Sequence, residues 1–211
     1  MSHRDSKPVV YAVIPVGPLE GAKSRLGSVL DAEERHDLVL RLADATIRAA
    51  VATPGIAETL VITPDDTVRE LALTAGARPV LQRSRGLNAG LREARAEAMA
   101  AGATAVLIVP IDLPRVSPAA LSHVVDSLGD DAGPLVALVP DRHGRGTNTL
   151  LLAPPDVIEV CFGGDSHAAH AAAAADVGAR FIELDGPLAY DLDTPDDLLL
   201  AQAQAPESVG G

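Results

Sequence analysis

Two aspartates, distant from each other in the chain, have the residue type and the setting of metal ligands. Asp112 follows the apolar run 106–111, which is typical of a strand buried on both faces of a parallel sheet. Asp191 is likewise interpreted as following an apolar strand, and neighbouring parallel strands would bring both carboxylates to one edge of the sheet. Their oxygens could hold Mg²⁺ beside substrate phosphates. The alternative for Asp112 is a turn aspartate that accepts hydrogen bonds from nearby backbone amides.

A third carboxylate, Asp193, has a stronger structural explanation. It stands beside Thr194 and Pro195, where a negative charge favours the N-terminus of a following helix. Asp191 is therefore the better candidate ligand of the two.

The loop after the first predicted strand contains several glycines and two basic side chains. Gly17, Gly21 and Gly27 allow the backbone to approach a ligand closely, and Lys23 and Arg25 supply positive charge within a short span. The loop has neither the P-loop pattern Gly-x-x-x-x-Gly-Lys-Ser/Thr nor the dinucleotide pattern Gly-x-Gly-x-x-Gly. It suits a triphosphate, and the alternative is an ordinary solvated basic loop.

The segment 162–166, Phe-Gly-Gly-Asp-Ser, has the features of an anion pocket. A glycine pair that leads into a helix N-terminus exposes backbone N–H groups and a hydroxyl to a phosphate or carboxylate. Thr147 or Asn148 could close on that anion from the preceding hairpin. The alternative for Ser166 is a simple helix cap, which is compatible with the functional interpretation.

Several basic or titratable side chains lie near this pocket in the sequence. His167 and His170 have spacing that is weak evidence for zinc without a third ligand, and such residues are most often surface or partly buried histidines. Arg142, His143 and Arg145 could add positive potential to the pocket or could be solvated loop charges.

The alternation of strands and helices through the first two-thirds of the chain predicts a parallel sheet with helices on both sides. The predicted strands are 9–16, 59–63, 78–81, 104–111, 135–140, 148–153 and 180–184. The predicted helices are 31–53, 64–75, 89–101, 118–128, 166–177 and 195–203. We expect a single domain over 9–203, with flexible tails at 1–8 and 204–211.

Capping signals mark several of these helix starts. The predicted N-caps are Asp31, Asn88, Ser117 and Thr194, with Glu34 and Asp197 completing capping boxes in the first and last of these helices.

Composition narrows the class of protein. The 211 residues carry a formal charge of −12, which argues against general binding to nucleic acid or anionic membranes. An anionic substrate would therefore need a metal or a local cluster of cations. The single cysteine, Cys161, excludes an intrachain disulfide and a multi-cysteine zinc site. No apolar run has membrane-spanning length and no signal peptide is present, so we expect a cytoplasmic protein.

Beyond these local patterns, the chain from about residue 10 to 200 resembles a known family. It is similar to the phospholactate/phosphoenolpyruvate guanylyltransferases of deazaflavin coenzyme F-420 biosynthesis. The similarity is carried by Pro-Val-Gly-Pro-Leu-Glu-Gly-Ala-Lys-Ser-Arg-Leu at 15–26, Ile-Thr-Pro-Asp at 62–65, Leu-Asn at 87–88, Pro-Ile-Asp-Leu-Pro at 110–114, Gly-Thr-Asn-Thr at 146–149, Phe-Gly-Gly-Asp-Ser at 162–166 and Asp-Leu-Asp-Thr-Pro at 191–195. One departure is Ile111, where relatives commonly have Gly, and it would narrow the nucleotide cleft without displacing Asp112.

The resemblance implies an α/β fold: a single-domain, Rossmann-like, GT-A-type nucleotidyltransferase of three layers with a mostly parallel mixed sheet. It also implies GTP, Mg²⁺ and a small phosphorylated three-carbon acid, without nucleic acid or membrane partners, and it allows a homodimer. The implied site residues are Asp112 and Asp191 for the metal; Lys23, Arg25 and Asp112 for catalysis; Pro15, Lys23, Arg25 and Asn88 for the nucleotide; and Thr147, Gly163 and Ser166 for the acid.

The reaction expected from this resemblance is transfer of GMP from GTP to the phosphate of phosphoenolpyruvate or 2-phospho-L-lactate, with release of pyrophosphate. One alternative is a transferase of the same fold that uses 3-phospho-D-glycerate or another nucleotide, because a fold does not determine a substrate. Another is a non-catalytic nucleotide-binding subunit, which would bind GTP without forming pyrophosphate.

Overall fold

The computed structural model describes residues 7–130 and 133–203, and they form one mixed sheet covered by helices. The strands are β1 Val10–Pro15, β2 Ile56–Thr63, β3 Arg78–Leu81, β4 Ala105–Ile108, β5 Leu135–Pro140, β6 Thr147–Ala153 and β7 Arg180–Glu183. The helices are α1 Ala32–Val51, α2 Asp66–Thr74, α3 Leu87–Ala100, α4 Pro118–Asp126, α5 Ser166–Asp176 and α6 Pro195–Ala203. Two 3₁₀ turns lie at Ser24–Leu26 and Pro187–Ala189. The predicted tails at 1–8 and 204–211 lie outside the described residues, except for residues 7 and 8.

The strand order is β3-β2-β1-β4-β6-β5-β7. Strands β1, β2, β3 and β4 pair in parallel, and β5 pairs in parallel with β7. Strand β6 is antiparallel to both of its neighbours, β4 and β5. The mostly parallel mixed sheet is therefore confirmed, with the inversion at β6.

Helices cover both faces of the sheet because apolar side chains alternate along each strand. On one face, Ala12 and Ile14 of β1 pack in the same cluster as residues of α1, α2 and α4. On the other face, Tyr11 and Val13 of β1 share a cluster with residues of α3 and α5. The result is the three-layer architecture expected from the sequence. Among the described residues, no helix combines the length and apolar character that a membrane crossing needs.

Three of the predicted helix caps are present. Asp31 and Glu34 form a reciprocal capping box at the start of α1. The hydroxyl of Ser117 accepts from the amide of Ala120 at 3.2 Å.

At α6 the reciprocal pair is Thr194 and Asp197. The Thr194 amide donates to Asp197 Oδ2 at 2.8 Å, and the Asp197 amide donates to Thr194 Oγ1 at 3.3 Å.

The fourth predicted cap, Asn88, was wrong. Helix α3 begins at Leu87 after Gly86, so Asn88 lies inside its first turn and its side chain points to another segment. At α5 the alternative interpretation of Ser166 as a simple cap does not hold, because the helix begins at Ser166 itself and Asp165 occupies the cap position without a side-chain cap bond. The Asn88 side chain is available for a tertiary contact because α3 starts two residues earlier than the predicted residue 89.

The central strand is shorter than the predicted 104–111. Strand β4 ends at Ile108, although the amide of Val109 still donates to the carbonyl of Val13 at 3.0 Å. Pro110 has no N–H to continue the ladder, so the chain leaves the sheet there. Asp112 consequently stands in a loop beyond the strand end.

Candidate active site

Three segments from distant parts of the chain meet beyond the C-terminal ends of β1 and β4. They are the loop after β1, the loop after β4 and the segment that precedes α6. The amide of Leu192 donates to the carbonyl of Asp112 at 2.8 Å, and Lys23 Nζ donates to the carbonyl of Leu192 at 2.7 Å. This is the edge at which open α/β sheets bind ligands.

Lys23 lies at the centre of this junction. Its side chain is only 11% exposed, and Nζ lies 2.7 Å from Asp193 Oδ1 and 3.4 Å from Asp112 Oδ2. Its backbone is left-handed, with φ 51° and ψ 40°, a conformation that costs a residue other than glycine roughly 1 kcal/mol or more. Strain of this kind persists where surrounding contacts determine the conformation, and it is concentrated at functional sites.

Asp191 reaches the junction by a route that the sequence analysis predicted wrongly. It does not follow a strand that neighbours β4, because β7 ends at Glu183 and lies beside β5 at the edge of the sheet. The chain instead returns through the 3₁₀ turn Pro187–Ala189. Burial raises the pKa of the Asp191 carboxyl, and the negative charges of Asp112 and Asp193 raise it further. The carboxylates therefore converge, but through a loop.

The donor set suits a hard divalent cation. Within residues 7–130 and 133–203, Asp191 forms no ion pair, and no group of three or more acidic, histidine or cysteine side chains has the arrangement of a metal site. Mg²⁺ is typically held by one or two carboxylates, with water and substrate phosphates completing its shell. Asp112 and Asp191 fit that pattern, and a cation beside them would relieve the repulsion that raises the pKa of Asp191.

The structure gives Asp193 more than the helix-supporting role favoured by the sequence. Its carboxylate pairs with Lys23 and lies 3.7 Å from Arg25 Nη1. The cap of α6 is supplied by Thr194 and Asp197 instead. Lys23, Ser24, Arg25 and Asp193 line a cleft of about 290 Å³. The Arg25 side chain is 75% exposed in this cleft, so its guanidinium can still reach a ligand.

Two side-chain contacts that support this junction were missed at the sequence level. Arg142, from the β5–β6 loop, pairs with Asp197 at 2.5 Å, and Asp197 also accepts from the amide of Asp193. Burial acts to raise the pKa of Asp197, but the bonds from Arg142, Asp193 and Thr194 outweigh it and lower that pKa to about 2. No local sequence signal indicates this pair, because its partners are 55 positions apart in the numbering.

A cation–π contact is the other missed support. The guanidinium carbon of Arg115 lies 4.0 Å from the centroid of the Tyr190 ring. Arg115 follows Asp112 by three residues and Tyr190 directly precedes Asp191. The contact therefore joins the two segments that carry the candidate metal ligands.

A second cluster forms at the N-terminus of α5. Gly163 has φ 152°, in the region that favours glycine. Within the described part of the chain, the amides of Gly163, Gly164 and Asp165 donate to no backbone carbonyl, and Ser166 beside them is only 3% exposed. Amide donors at a helix N-terminus make the kind of anion site that the sequence predicted.

Asn88 holds the backbone of the segment that leads into this cluster. Its Oδ1 accepts from the Phe162 amide at 2.8 Å, and its Nδ2 donates to the Phe162 carbonyl at 3.0 Å. The side chain thereby fixes the residue before Gly163. The role of Asn88 in binding the nucleotide stays a prediction, as does that of Pro15, which ends β1 beside Ile62.

Thr147 faces α5 because of a bulge in β6. Val139 pairs with Thr149 and Pro140 pairs with Thr147, so Asn148 is an extra residue in the strand. Thr147 Oγ1 lies 3.1 Å from His170 Nδ1 on α5, whereas Asn148 Nδ2 donates to the carbonyl of Leu188. Of the two hairpin residues considered for the anion pocket, the bulge thus directs Thr147 towards α5 and Asn148 away from it.

Three further contacts involve basic residues of the hairpin loop and α5. Arg145 pairs with Asp165 at 2.9 Å, Arg142 Nε lies 3.1 Å from His143 Nε2, and His167 pairs with Glu183 at 2.8 Å. Through Arg142 and Arg145, the loop contacts both α6 and the start of α5. It therefore connects the carboxylate junction to the anion cluster.

Two known proteins with similar sequences share one activity in their names, and a family model describes the same class of reaction. A model of the family described as guanylyl transferase CofC like matches residues 10–202. The phosphoenolpyruvate guanylyltransferase of Rubrobacter xylanophilus is 40% identical over 195 residues, covering 92% of this chain and 94% of that protein. The protein of the same name from Sphaerobacter thermophilus is 42% identical over 197 residues, covering 92% and 93%.

Solved structures support the fold. A nucleotide-diphospho-sugar transferase candidate from Desulfovibrio desulfuricans has a TM-score of 0.74 at 16% identity, covering 94% of this chain and 89% of that one. The 4-diphosphocytidyl-2C-methyl-D-erythritol synthase of Anaerococcus prevotii has a TM-score of 0.62 at 10% identity, covering 93% and 96%. These similarities show a nucleotidyltransferase-like fold.

Proposed function

The chain belongs to the CofC-like guanylyl transferase family, and from that premise we propose that it transfers GMP from GTP to the phosphate of phosphoenolpyruvate, with release of pyrophosphate. Such a reaction belongs to coenzyme F-420 biosynthesis. Relatives at 40% and 42% identity are named for phosphoenolpyruvate as the acceptor. The other acids of similar shape, 2-phospho-L-lactate and 3-phospho-D-glycerate, are alternatives for the test below.

The observation that carries the proposal is the junction of Lys23 with Asp112 and Asp193, beside Asp191. It concentrates one buried cation and three carboxylates at the ligand-binding edge of a strongly acidic protein. Such an arrangement is suited to a polyphosphate bound with a divalent cation, because cation and carboxylates together balance the negative charge of the phosphates.

The chemistry needs alignment and charge neutralisation more than a side-chain base. A phosphate oxygen of the acid attacks the α-phosphorus of GTP, a new P–O bond forms, and the bond to the β-phosphate oxygen breaks with its electrons leaving on pyrophosphate. The attacking oxygen is already anionic, so no proton has to be removed. This agrees with a site built from carboxylates and cations.

Each chain residue then has a separate task. Lys23 and Arg25 would neutralise the charge that develops on pyrophosphate. Asp112 and Asp191 would hold Mg²⁺, which when bound supplies Lewis-acid neutralisation of the nucleotide phosphates. Lys23 also ties the three segments together through Leu192 and Asp193.

The acid would bind at the N-terminus of α5. The amide of Gly163 and the hydroxyls of Ser166 and Thr147 are hydrogen-bond donors suited to a phosphate or carboxylate. Burial of Ser166 and Thr147 excludes water from these bonds, which strengthens them.

The test is a matrix of nucleotides and acids with the purified full-length protein. GTP, ATP, CTP and UTP are each incubated with Mg²⁺ and one of the three acids, and both pyrophosphate and the nucleotidylated acid are quantified. We expect product from GTP with phosphoenolpyruvate, and a fall on the order of a thousandfold in Asp112→Asn. Exposed Asp37→Asn serves as the matched control. GTP binding without pyrophosphate formation would contradict the proposal.

A further inference from the structure

His170 is a fully buried histidine in α5, with an exposed fraction of 0%. Its two ring nitrogens contact different elements: Nδ1 lies 3.1 Å from Thr147 Oγ1, and Nε2 lies 3.0 Å from the amide nitrogen of Cys161. The Phe162 ring packs against the imidazole in an edge-to-face arrangement at 5.4 Å between centroids. The ring is therefore held from both ends and from one side.

These contacts determine which nitrogen carries the proton. A backbone amide can only donate, so Nε2 must accept and cannot carry hydrogen. In a neutral imidazole the proton then resides on Nδ1, which must donate to Thr147 Oγ1. Burial lowers the pKa of His170 to about 4, and the charge of His167 acts in the same direction, so the ring is neutral at physiological pH.

The tautomer has a consequence for Thr147. Its oxygen is occupied as an acceptor from Nδ1–H, which leaves the hydroxyl hydrogen to be donated elsewhere. Ser166 and His170 are four residues apart and therefore share a face of α5. The hydroxyl of Thr147 is thus held beside the helix end that presents the free amides of Gly163, Gly164 and Asp165.

We propose that His170 is a positioning residue, whose Nδ1–H fixes the Thr147 hydroxyl as a hydrogen-bond donor to the anionic acid substrate. The choice of ligand rests on the proposed function. In this arrangement His170 acts through Thr147 and does not touch the acid. With Thr147 oriented as a donor, hydroxyl and amides all favour an anion over a neutral or cationic group.

Two conservative variants of His170 distinguish the contact made by Nδ1 from the contact made by Nε2. The amide of asparagine reaches the position of Nδ1 and can still donate to Thr147, whereas the amide of glutamine reaches the position of Nε2 and can still accept from Cys161. We expect His170→Gln to raise KM for phosphoenolpyruvate about tenfold, with kcat and the KM for GTP within about twofold of wild type. His170→Asn should stay within about threefold of wild type in every constant. Equal KM values in the two variants would overturn the proposal.

A double-mutant cycle tests whether the effect passes through the hydroxyl. Thr147→Val removes the donor and should itself raise KM for the acid about tenfold. Adding His170→Gln to Thr147→Val should then change KM by less than about twofold. A further full tenfold increase would show that His170 acts independently of Thr147 and would overturn the proposal.

Two measurements do not depend on turnover. Ring ¹⁵N chemical shifts of the wild-type protein, assigned through bonds from the His170 backbone, should show the Nδ1–H tautomer. An Nε2–H tautomer would overturn the proposal even if a variant failed to fold. Calorimetric titration with phosphoenolpyruvate should give about tenfold weaker binding in His170→Gln than in wild type. Equal affinities would overturn the proposal. Wild-type binding without product formation would contradict the proposed function alone.

Discussion

Lys23 shows how individual residues of the site satisfy opposing demands. Its ammonium is nearly enclosed and stabilises two aspartates, while its backbone adopts a left-handed conformation that is unfavourable for its residue type. Placing one positive charge among carboxylates therefore lowers the local stability of the backbone. At Asp191 the unfavourable effect is electrostatic, because burial and the acidic neighbours oppose ionisation of its carboxyl.

The raised pKa of Asp191 predicts a conflict between stability and activity. Its carboxylate is less favourable in the folded than in the unfolded protein at neutral pH, so Asp191→Asn should raise Tm of the metal-free protein slightly, on the order of a degree or two. The same variant should lose guanylyl transfer by on the order of a thousandfold. Thermal melts and pyrophosphate release measure the two effects, with Asp37→Asn as the exposed control. A lower Tm in Asp191→Asn would contradict this account.

His170 predicts a specific pH dependence of stability. Its folded pKa of about 4 lies below the ordinary value of 6.5, so the unfolded chain binds the proton more readily. Its contribution is therefore fully present above pH 6.5 and is lost as the pH falls towards 4, by roughly 3 kcal/mol in total. Denaturant unfolding at pH 7, 6, 5 and 4 should show a steeper loss in wild type than in His170→Gln. Equal losses of unfolding free energy with falling pH in the two proteins would contradict this prediction.

At the scale of elements, the β5–β6 hairpin is the connection between the two clusters. Asp141 accepts from the amides of His143 and Arg145, which shapes the loop. From this loop Arg142 reaches the buried Asp197, and Arg145 reaches the exposed Asp165. The bulge at Asn148 then turns Thr147 towards α5.

The two ion pairs of this loop should have unequal effects. Asp197→Asn leaves the Arg142 guanidinium without its charged partner and weakens the support of the Asp193 amide, so we expect a loss of about 2 kcal/mol in unfolding free energy and reduced activity. Asp165→Asn removes a solvated pair and should change stability little. Urea unfolding of both variants tests the difference. Similar stability losses would show that the Arg142 pair is not a structural connection.

At the scale of the whole molecule, the site joins segments from the beginning, middle and end of the chain. Lys23, Asp112 and Leu192 meet at one point although the surrounding protein is strongly acidic. With a net charge of −12, the protein could attract a polyphosphate only through local cations or a bound metal. A ligand at this junction should stabilise the whole domain, because it binds only where the segments are assembled.

This predicts a thermal shift that requires metal and nucleotide together. GTP with Mg²⁺ at about a hundred times Kd should add about 2.7 kcal/mol, or roughly 5 to 10 °C in Tm for a domain of this size. Chelation with EDTA should remove most of the shift, and Asp112→Asn should not show it. An equal shift from GTP in EDTA would argue that the carboxylates do not hold a cation for the nucleotide.

Local signals in the sequence determined much of the fold. The capping pairs Asp31 with Glu34 and Thr194 with Asp197 act over three residues, and their geometry follows from neighbouring positions alone. The apolar runs of the strands likewise predict burial directly. Asn88 was misassigned as a cap because a polar residue near a helix start can instead serve a tertiary contact, as Asn88 does with Phe162.

The sequence by itself therefore determined the strands and helices, most helix starts, the family and the residues of the candidate site. Only the tertiary structure decided that Asp191 arrives through a loop, that Lys23 lies between carboxylates, that a bulge turns Thr147 towards α5 and that Cys161 sets the tautomer of His170. The physical reason is the distance along the chain over which each interaction acts. Propensities and periodicity act over a few residues, whereas these contacts join residues 9 to 170 positions apart and exist only after the sheet has assembled.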